Sequence, residues 1–215
     1  MNKITFKDVL PQVFCRAKNL NSDIWNKQIV FEKQQTYLIE AESGKGKSTF
    51  CSYILGYRND YSGSILFDDN NIKQFKVSDW TEIRKRNISL MFQELRLFSE
   101  LTAMENIEIK NNLTHFKTAK QIKQWFEQLG IADKINEKVA FMSFGQQQRV
   151  ALIRSLCQPF DFLIADEPIS HLDDNNAKIM GEIITEETEK QGAGVILTSI
   201  GKHIENINYT KTLKL

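Results

Sequence analysis

The feature that most constrains the fold is a short apolar segment followed by a glycine-containing loop. Residues 35–49 read Q-T-Y-L-I-E-A-E-S-G-K-G-K-S-T. The first six are rich in β-branched and aromatic residues, which favours a buried strand. The G-K-S at residues 46–48 matches the end of G-x-x-x-x-G-K-[ST], a loop between a strand and a helix that surrounds phosphate groups. The sequence therefore predicts a strand at residues 35–40, a phosphate-binding loop and a helix at residues 47–56.

Each position of this loop has an expected role. The N–H groups and the dipole of a helix N-terminus attract anions. Lys47 is expected to pair with the β and γ phosphates of a nucleotide, and Ser48 to bind Mg²⁺. Phosphate contacts are expected from Ser43, Gly44, Lys45, Gly46, Lys47, Ser48 and Thr49. G-K-S alone would also suit a lysine-rich turn, but the flanking strand and helix favour nucleotide binding.

One residue departs from the loop pattern. Ala41 stands where the motif has its first glycine. It lies at the exit of the strand, before the phosphate-binding part of the loop. A methyl group is tolerated there if the residue does not need a positive φ.

A second apolar segment ends in two carboxylates. Residues 160–168 read F-D-F-L-I-A-D-E-P, which predicts a strand at 160–165 followed by Asp166 and Glu167. Ligands of open α/β sheets bind at the carboxyl ends of the strands. Asp166 therefore suits water-mediated binding of Mg²⁺, and Glu167 suits the orientation or deprotonation of an attacking water. The alternative, a solvated acidic turn, fits poorly after so apolar a strand.

The order of elements predicts an α/β fold with a parallel sheet between helices. A third strand is predicted at residues 194–199, and a helix at 175–191 follows the candidate N-caps Asp173 and Asp174. Three helical segments are predicted in the middle of the chain, at residues 104–110, 118–129 and 146–156. We expect a single domain of residues 1–215, with a core of residues 1–92 and 160–215 and an inserted helical subdomain of residues 93–159.

Composition limits the environment and the partners. The chain has 215 residues, with 28 Lys and Arg against 27 Asp and Glu, so no global field points to a nucleic-acid partner. Its three cysteines are widely separated, which indicates neither a disulfide framework nor a zinc site and suits a reducing compartment. No apolar run approaches the roughly 20 residues that span a bilayer, and the N-terminus lacks a signal-peptide core. We expect a cytoplasmic chain that meets a membrane only through a partner.

A third motif opens a predicted helix. Residues 142–156 read M-S-F-G-Q-Q-Q-R-V-A-L-I-R-S-L, and a helix that starts in this way is able to hold a phosphate at its N-terminus. The chain also has Gln93 after a strand-like segment and S-H-L-D at residues 170–173. With the phosphate loop and the acidic strand end, this ordered set resembles the nucleotide-binding cassette of ABC transporters over nearly the whole chain.

The resemblance implies further nucleotide contacts. Gln93 matches the Q-loop glutamine of the family. The family signature L-S-G-G-Q appears here as M-S-F-G-Q, so Ser143, Gly145 and Gln146 are expected to contact ATP. An aromatic residue that stacks on adenine is expected upstream of the phosphate loop. Phe14 is the candidate, and a core residue of a strand is the alternative interpretation.

The resemblance also implies the chemistry and the fold type. Catalysis is expected from Lys47, Gln93 and Glu167, and Mg²⁺ ligation from Ser48, Gln93 and Asp166. The implied fold is a P-loop NTPase core with a helical subdomain and an antiparallel β portion near the N-terminus. The implied cofactors are ATP and Mg²⁺.

The implied mechanism needs two cassettes, which form a homodimer or a heterodimer. They close head to tail around two ATP molecules, so that the Ser143 helix of one chain meets the γ-phosphate held by Lys47 of the other. Closure drives a transmembrane permease, which holds the chain on the inner face of the cell membrane, and hydrolysis reopens the pair. The stretch F-Q-E-L-R-L-F-S-E-L-T-A-M-E-N-I looks most like the small cassettes of lipoprotein-release and macrolide-export systems.

Two departures from the family pattern bear on hydrolysis. Phe144 replaces a signature glycine, and Ile200 stands where the family places a histidine that contacts the γ-phosphate. Isoleucine cannot donate a hydrogen bond, so we expect slow hydrolysis. His203 lies three residues further on, and we expect it in or entering the next helix as a surface or capping residue.

Two functions of different class remain open. The first is an ATPase that powers a membrane transporter, and the second is an ATP-gated dimerising scaffold with little turnover. Glu167 favours the ATPase, because a scaffold has no chemical need for a carboxylate at that place. Cassette proteins of translation or DNA repair are disfavoured, since those need two cassettes in one chain or a long coiled-coil insertion.

Overall fold

The elements of this computed structural model are described for residues 1–17 and 20–215. The strands in this part of the chain are β1 (Lys3–Pro11), β2 (Gln28–Glu32), β3 (Thr36–Glu40), β4 (Tyr61–Phe67), β5 (Asn70–Asn71), β6 (Ile88–Met91), β7 (Phe162–Asp166), β8 (Gly194–Ser199) and β9 (Lys211–Lys214). The α-helices are α1 (Lys47–Ile54), α2 (Val77–Arg86), α3 (Ala103–Asn111), α4 (Ala119–Gln128), α5 (Phe144–Leu156) and α6 (Asp174–Gln191).

A five-stranded parallel sheet forms the centre of the molecule. Its strand order is β6-β7-β8-β3-β9, and each neighbouring pair runs parallel. Every residue of β7 and β8 is buried, as expected for strands covered on both faces. The predicted α/β fold with a parallel sheet is confirmed.

An antiparallel sheet of order β2-β1-β4-β5 lies near the N-terminus, as the family resemblance implied. An aromatic cluster joins it to α1. Phe50 of α1 stacks on Phe6 of β1, with ring centroids 5.1 Å apart, and contacts Trp25 edge-on at 6.3 Å. Tyr53, one turn later, also contacts Trp25 edge-on, at 6.2 Å. These buried rings fix the position of the helix that follows the phosphate loop.

The predicted helices of the middle segment are confirmed to within two residues at each end. Each starts with a capping box, in which a Ser or Thr side chain and a Glu or Gln three residues later bond each other's backbone N–H. These pairs are Thr102 with Glu105, Thr118 with Gln121, and Ser143 with Gln146. Buried residues of α3, α4 and α5 share one apolar cluster with the parallel sheet. The domain boundaries at residues 92 and 160 stay a prediction.

A buried ion pair connects the α3–α4 loop to α6. Lys117 Nζ lies 2.6 Å from Glu187 Oε1, and the two side chains are only 7% and 4% exposed. Gln191 Nε2 donates a second hydrogen bond to the same carboxylate oxygen at 2.7 Å. The side chain of Asn111 bonds the backbone N–H and carbonyl of Lys117, which holds the lysine in place.

The helix expected at His203 does not form, whereas the expected surface position of this residue is confirmed, because its side chain is exposed. No helix follows β8 in the described structure, and the chain runs through turns before β9 pairs with β3. Ile204 and the Tyr209 hydroxyl exchange hydrogen bonds across this turn region, and the His203 ring lies edge-on to Tyr209 at 6.1 Å. The segment between β8 and β9 has to bring the chain back to β3 at the edge of the sheet, so it forms turns instead of a helix.

Within the described residues, no helix is both long enough and apolar enough to cross a membrane.

Gly63 is expected to be intolerant of substitution. It has φ +76°, and a Cβ there would overlap the backbone oxygens of Lys7 and Asp8, next to the register shift between β1 and β4. Gly63→Ala should cost about 1–3 kcal/mol for the left-handed backbone, plus the cost of displacing β1. Gly130→Ala is the matched control, because Gly130 has φ +64° and a Cβ added there would meet no neighbouring atom within 4 Å. Denaturant unfolding of the two variants should therefore show the larger loss for Gly63→Ala, and equal losses would contradict this account.

Candidate functional site

The carboxyl ends of β3, β7 and β8 meet at one edge of the parallel sheet. The loop after β3 leads into α1, and Gly46 caps that helix with φ 103°. A Cβ at Gly46 would lie 3.1 Å from Cε2 of Phe14, so a glycine lets the loop pass close to this ring. Gly44 also has a positive φ, of 78°. The two glycines give the loop its turn into the helix.

Ala41 keeps the geometry of a strand end. Its N–H donates to the carbonyl of Ser199 on β8 at 3.1 Å. It is not among the residues with positive φ in the described chain. Ala41 therefore does not need a positive φ, and its methyl group is tolerated at the place of the first glycine of the motif.

Lys47 lies across the loop and is 5% exposed. Its Nζ donates to the carbonyl of Ala41 at 2.7 Å and to that of Glu42 at 3.1 Å. The same atom lies 3.4 Å from Glu167 Oε1. The structure thus places the lysine between the loop and one of the two predicted carboxylates.

Asp166 and Glu167 are buried and are held by predicted site residues. Ser48 Oγ donates to Asp166 Oδ2 at 2.9 Å and lies 3.5 Å from Gln93 Oε1. Gln93 Nε2 donates to Glu167 Oε2 at 3.2 Å. One network therefore links five of the residues proposed from the sequence, which are Lys47, Ser48, Gln93, Asp166 and Glu167.

The interior behind this network is apolar. Cys51 lies one turn after Lys47 on α1 and is buried. Burial, and then the charge of Asp166, raise the pKa of the Cys51 thiol. The thiol therefore stays protonated and adds no charge to the site.

Two polar residues that sequence analysis did not single out hold the backbone of Glu167. This residue has φ 53°, in the left-handed region. Its N–H donates to Thr198 Oγ1 at 3.2 Å, and its carbonyl accepts from Gln148 Nε2 at 3.3 Å. Thr198 lies in an apolar strand, and Gln148 lies one helical turn before the buried Leu152. For Thr198 the available signal was a polar residue among apolar neighbours, whereas Gln148 lies in the polar run Q-Q-Q-R and gives no such signal.

A cavity of about 250 Å³ lies over the loop. Its lining residues are Ser43, Gly44, Gly46, Lys47, Ser48, Thr49, Gln93 and Glu167. Lys45 is exposed beside it on the same loop. Phe14 is half-buried in a short 3-10 helix and packs between the loop and Trp25, at 6.4 Å from the Trp25 ring.

The start of α5 does not line this cavity. Ser143, Gly145 and Gln146 are not among the described residues that line this cavity. A Cβ at Gly145 would lie 3.4 Å from the His171 carbonyl, and the Phe144 ring lies 4.3 Å from the His171 ring. The residue at the altered signature position thus packs against the loop that follows Glu167.

Ile200 lies next to Glu167, whereas His203 does not. Ile200 is 51% exposed and lines a cavity of about 180 Å³ together with Glu167, Thr198 and five neighbours. His203 lines a different cavity with Asp174 and other residues at the start of α6. Of positions 200 and 203, only position 200 therefore lines the cavity beside Glu167.

Comparison with known proteins identifies the family. Residues 26–170 match the family model described as ABC transporter. The chain belongs to the ABC transporter family. Cassettes of this family bind ATP together with Mg²⁺.

Named relatives and a solved structure agree with this assignment. The lipoprotein-releasing system ATP-binding protein LolD of Buchnera aphidicola is 30% identical, over 88% of this chain and 84% of the relative. The macrolide export ATP-binding/permease protein MacB of Aggregatibacter actinomycetemcomitans is 29% identical, over 95% of this chain and 32% of the relative. A dimeric structure of MJ0796, a bacterial ABC transporter cassette, matches with a TM-score of 0.77 at 24% identity, over 91% of this chain and 87% of that one. This match confirms the fold.

The residues of this site fit both cofactors. Oxygen atoms of Ser48, Gln93 and Asp166 lie next to one another, and Mg²⁺ prefers oxygen ligands. The loop supplies two glycines with positive φ and a buried lysine, which are the features that a phosphate-binding loop needs.

Proposed function

We propose that this chain is the ATP-binding and ATP-hydrolysing subunit of a membrane-embedded ABC transporter, and that it works by closing with a second cassette around ATP. One observation carries the proposal. The lysine and serine of the loop contact both carboxylates at the end of β7, with Gln93 bonded to one of them. Phosphate, metal and water-activating groups are thus within reach of one bound nucleotide.

The loop residues bind and orient the phosphates. The backbone N–H groups at the start of α1 and the Lys47 ammonium interact with phosphate oxygens. Ser48, Gln93 and Asp166 would hold Mg²⁺. When bound, the metal neutralises charge that develops on the phosphate oxygens. Phe14 stacks on adenine, which its half-buried position against the loop supports.

Glu167 orients the attacking water and accepts its proton. One of its oxygens accepts a hydrogen bond from Gln93, and the other faces Lys47 at 3.4 Å. Both partners also contact nucleotide or metal in this proposal. The orientation of the carboxylate therefore depends on residues that respond to ATP.

The second cassette completes the site. Ser143 caps α5 by accepting the N–H of Gln146, which leaves the N–H groups of Phe144 and Gly145 for a phosphate. The helix start does not line the described cavity of its own chain. A partner cassette placed head to tail would bring its own Ser143 helix to the phosphate held by Lys47. The dimeric form of the MJ0796 cassette supports this arrangement.

The transporter context comes from the relatives. LolD and MacB are named as ATP-binding proteins of lipoprotein-releasing and macrolide-export systems. We therefore place this chain on the inner face of the cell membrane, attached to a transmembrane permease. These two names support the proposed subgroup of lipoprotein-release and macrolide-export cassettes.

A scaffold with little turnover is the second candidate. Ile200 lines the cavity beside Glu167 without a hydrogen-bond donor, and the Phe144 ring occupies the helix start that would face the partner's phosphate. Both features slow hydrolysis without preventing the binding of ATP. Turnover measurements separate this candidate from the ATPase.

Binding of nucleotide is tested by thermal unfolding with and without MgATP. A ligand selective for the folded state stabilises it by about 2.7 kcal/mol at 100 times its Kd. Lys47→Ala should remove most of the ATP-dependent rise in Tm, because the lysine makes the main charged contact with the phosphates. Lys120→Ala, at an exposed position of α4, is the control and should keep the full rise. A wild-type protein without any shift at millimolar MgATP would contradict the proposal.

Dimerisation is tested with Glu167→Gln, which removes the proton acceptor and should preserve the ATP-bound closed state. Light scattering should show a dimer with MgATP and a monomer with MgADP. The double variant with Lys47→Ala should stay monomeric in both. A Glu167→Gln protein that binds ATP and remains a monomer would argue against a homodimer and for a heterodimer.

The role of position 200 is tested by steady-state phosphate release in the presence of the permease. One preorganised hydrogen-bond donor is worth about 10²–10³ in rate, so Ile200→His should raise a low wild-type rate. Ile200→Leu is the control and should not change it, while Glu167→Gln should abolish turnover. If Ile200→His has no effect and wild type already turns over as fast as a cassette with the family histidine, the substitution at position 200 is silent.

A further inference from the structure

Thr198 on β8 contacts both carboxylate residues of the site through one hydroxyl. Its Oγ1 donates to Asp166 Oδ1 at 2.5 Å and accepts from the N–H of Glu167 at 3.2 Å. A threonine hydroxyl has one hydrogen to donate and two lone pairs to accept with. The two bonds therefore use its donor and one of its acceptors at the same time, and the side chain is only 1% exposed.

We propose that Thr198 is a positioning residue that directs Asp166 toward the metal and that sets the Mg²⁺ dependence of ATP binding. This inference rests on the proposed function. Thr198 touches neither nucleotide nor metal in this account and acts through Asp166.

The register of the sheet places the threonine where it is needed. Thr198 and Asp166 are direct partners in the parallel pairing of β7 and β8. Partners in register project their side chains on the same side of the sheet, and successive residues alternate sides. The neighbours Leu197 and Ser199 therefore cannot replace Thr198 in this contact.

The hydrogen bond fixes the rotation of the Asp166 carboxylate. One oxygen, Oδ1, is held by Thr198, so the other, Oδ2, is turned toward Ser48 at 2.9 Å. That is the side on which the proposed metal ligands lie. Partners that orient a metal-binding group in this way typically contribute about 10–100-fold to metal affinity or activity.

Loss of the hydroxyl should affect Asp166 more than Glu167. The N–H of Glu167 also lies 3.3 Å from the backbone carbonyl of Thr198, and its own carbonyl is held by Gln148. Those backbone and glutamine contacts remain when the Thr198 side chain changes. We therefore expect the variant to bind Mg²⁺ more weakly and to keep the conformation of Glu167.

Isothermal titration calorimetry of ATP with Mg²⁺, and with EDTA instead, tests this inference on the full chain. The quantity compared is the factor by which Mg²⁺ tightens ATP binding. Thr198→Val keeps the shape and removes the hydroxyl, and should reduce this factor about 10–100-fold while leaving Mg²⁺-free binding near the wild-type value. Thr198→Ser keeps the hydroxyl and should retain the factor.

Two further variants keep the test decisive. Thr198→Ala and Thr198→Ser differ only in the hydroxyl oxygen, so this pair replaces Thr198→Val should that protein not fold. Thr188→Val is the matched control, because the buried Thr188 hydroxyl donates to a carbonyl within α6. It should behave as wild type.

The outcomes separate the inference from the proposed function. Equal Mg²⁺ factors for wild type and for the variants without a hydroxyl at position 198 would overturn the role of Thr198 alone. A wild-type protein that binds no ATP under either condition would overturn the proposed function and this inference with it. In phosphate release, the Mg²⁺ concentration for half-maximal rate should rise in Thr198→Val and stay unchanged in Thr188→Val.

Discussion

The parallel register of β3, β7 and β8 is the constraint on which the site depends. Glu40 pairs with Ser199, and Asp166 pairs with Thr198, so the ends of three strands reach the same level. A slip of one residue in β7 would turn Asp166 to the opposite face of the sheet. The burial of β7 and β8 on both faces opposes such a slip, because it would also move apolar side chains out of place. Backbone pairing and the core therefore set the geometry of the polar groups.

The loop needs a second support, which comes from the aromatic cluster. Phe50 and Tyr53 anchor α1 against Phe6 and Trp25, three and six residues beyond Lys47. Full burial of a large apolar side chain contributes about 1.5–3 kcal/mol. The cluster gives α1 one position relative to β7. Lys47 and Ser48 consequently meet the carboxylates without being held by exposed loop contacts alone.

Sequence reasoning found the elements that carry strong local signals. The central strands are apolar runs, and the helices of the middle segment begin with capping boxes. It did not find α2, although Val77, Trp80 and Ile83 recur there at helical spacing; none of the residues of this helix is fully buried. It also missed Thr198 and Gln148, because neither a polar residue in an apolar strand nor a glutamine in a polar run shows from sequence which group its side chain bonds. The helix expected at His203 failed because the pairing of β9 with β3, a long-range contact, decides that segment.

The ion pair between Lys117 and Glu187 makes one attachment of the helical layer much less sensitive to ionic strength than a surface pair. Dissolved ions screen exposed charges over a Debye length of about 8 Å at physiological salt, but they act much less on charges shut away from water. The exposed pair of Lys190 and Glu186, close to it along α6, lacks that protection. Salt therefore weakens the surface pair while the interior one continues to join the α3–α4 loop to α6.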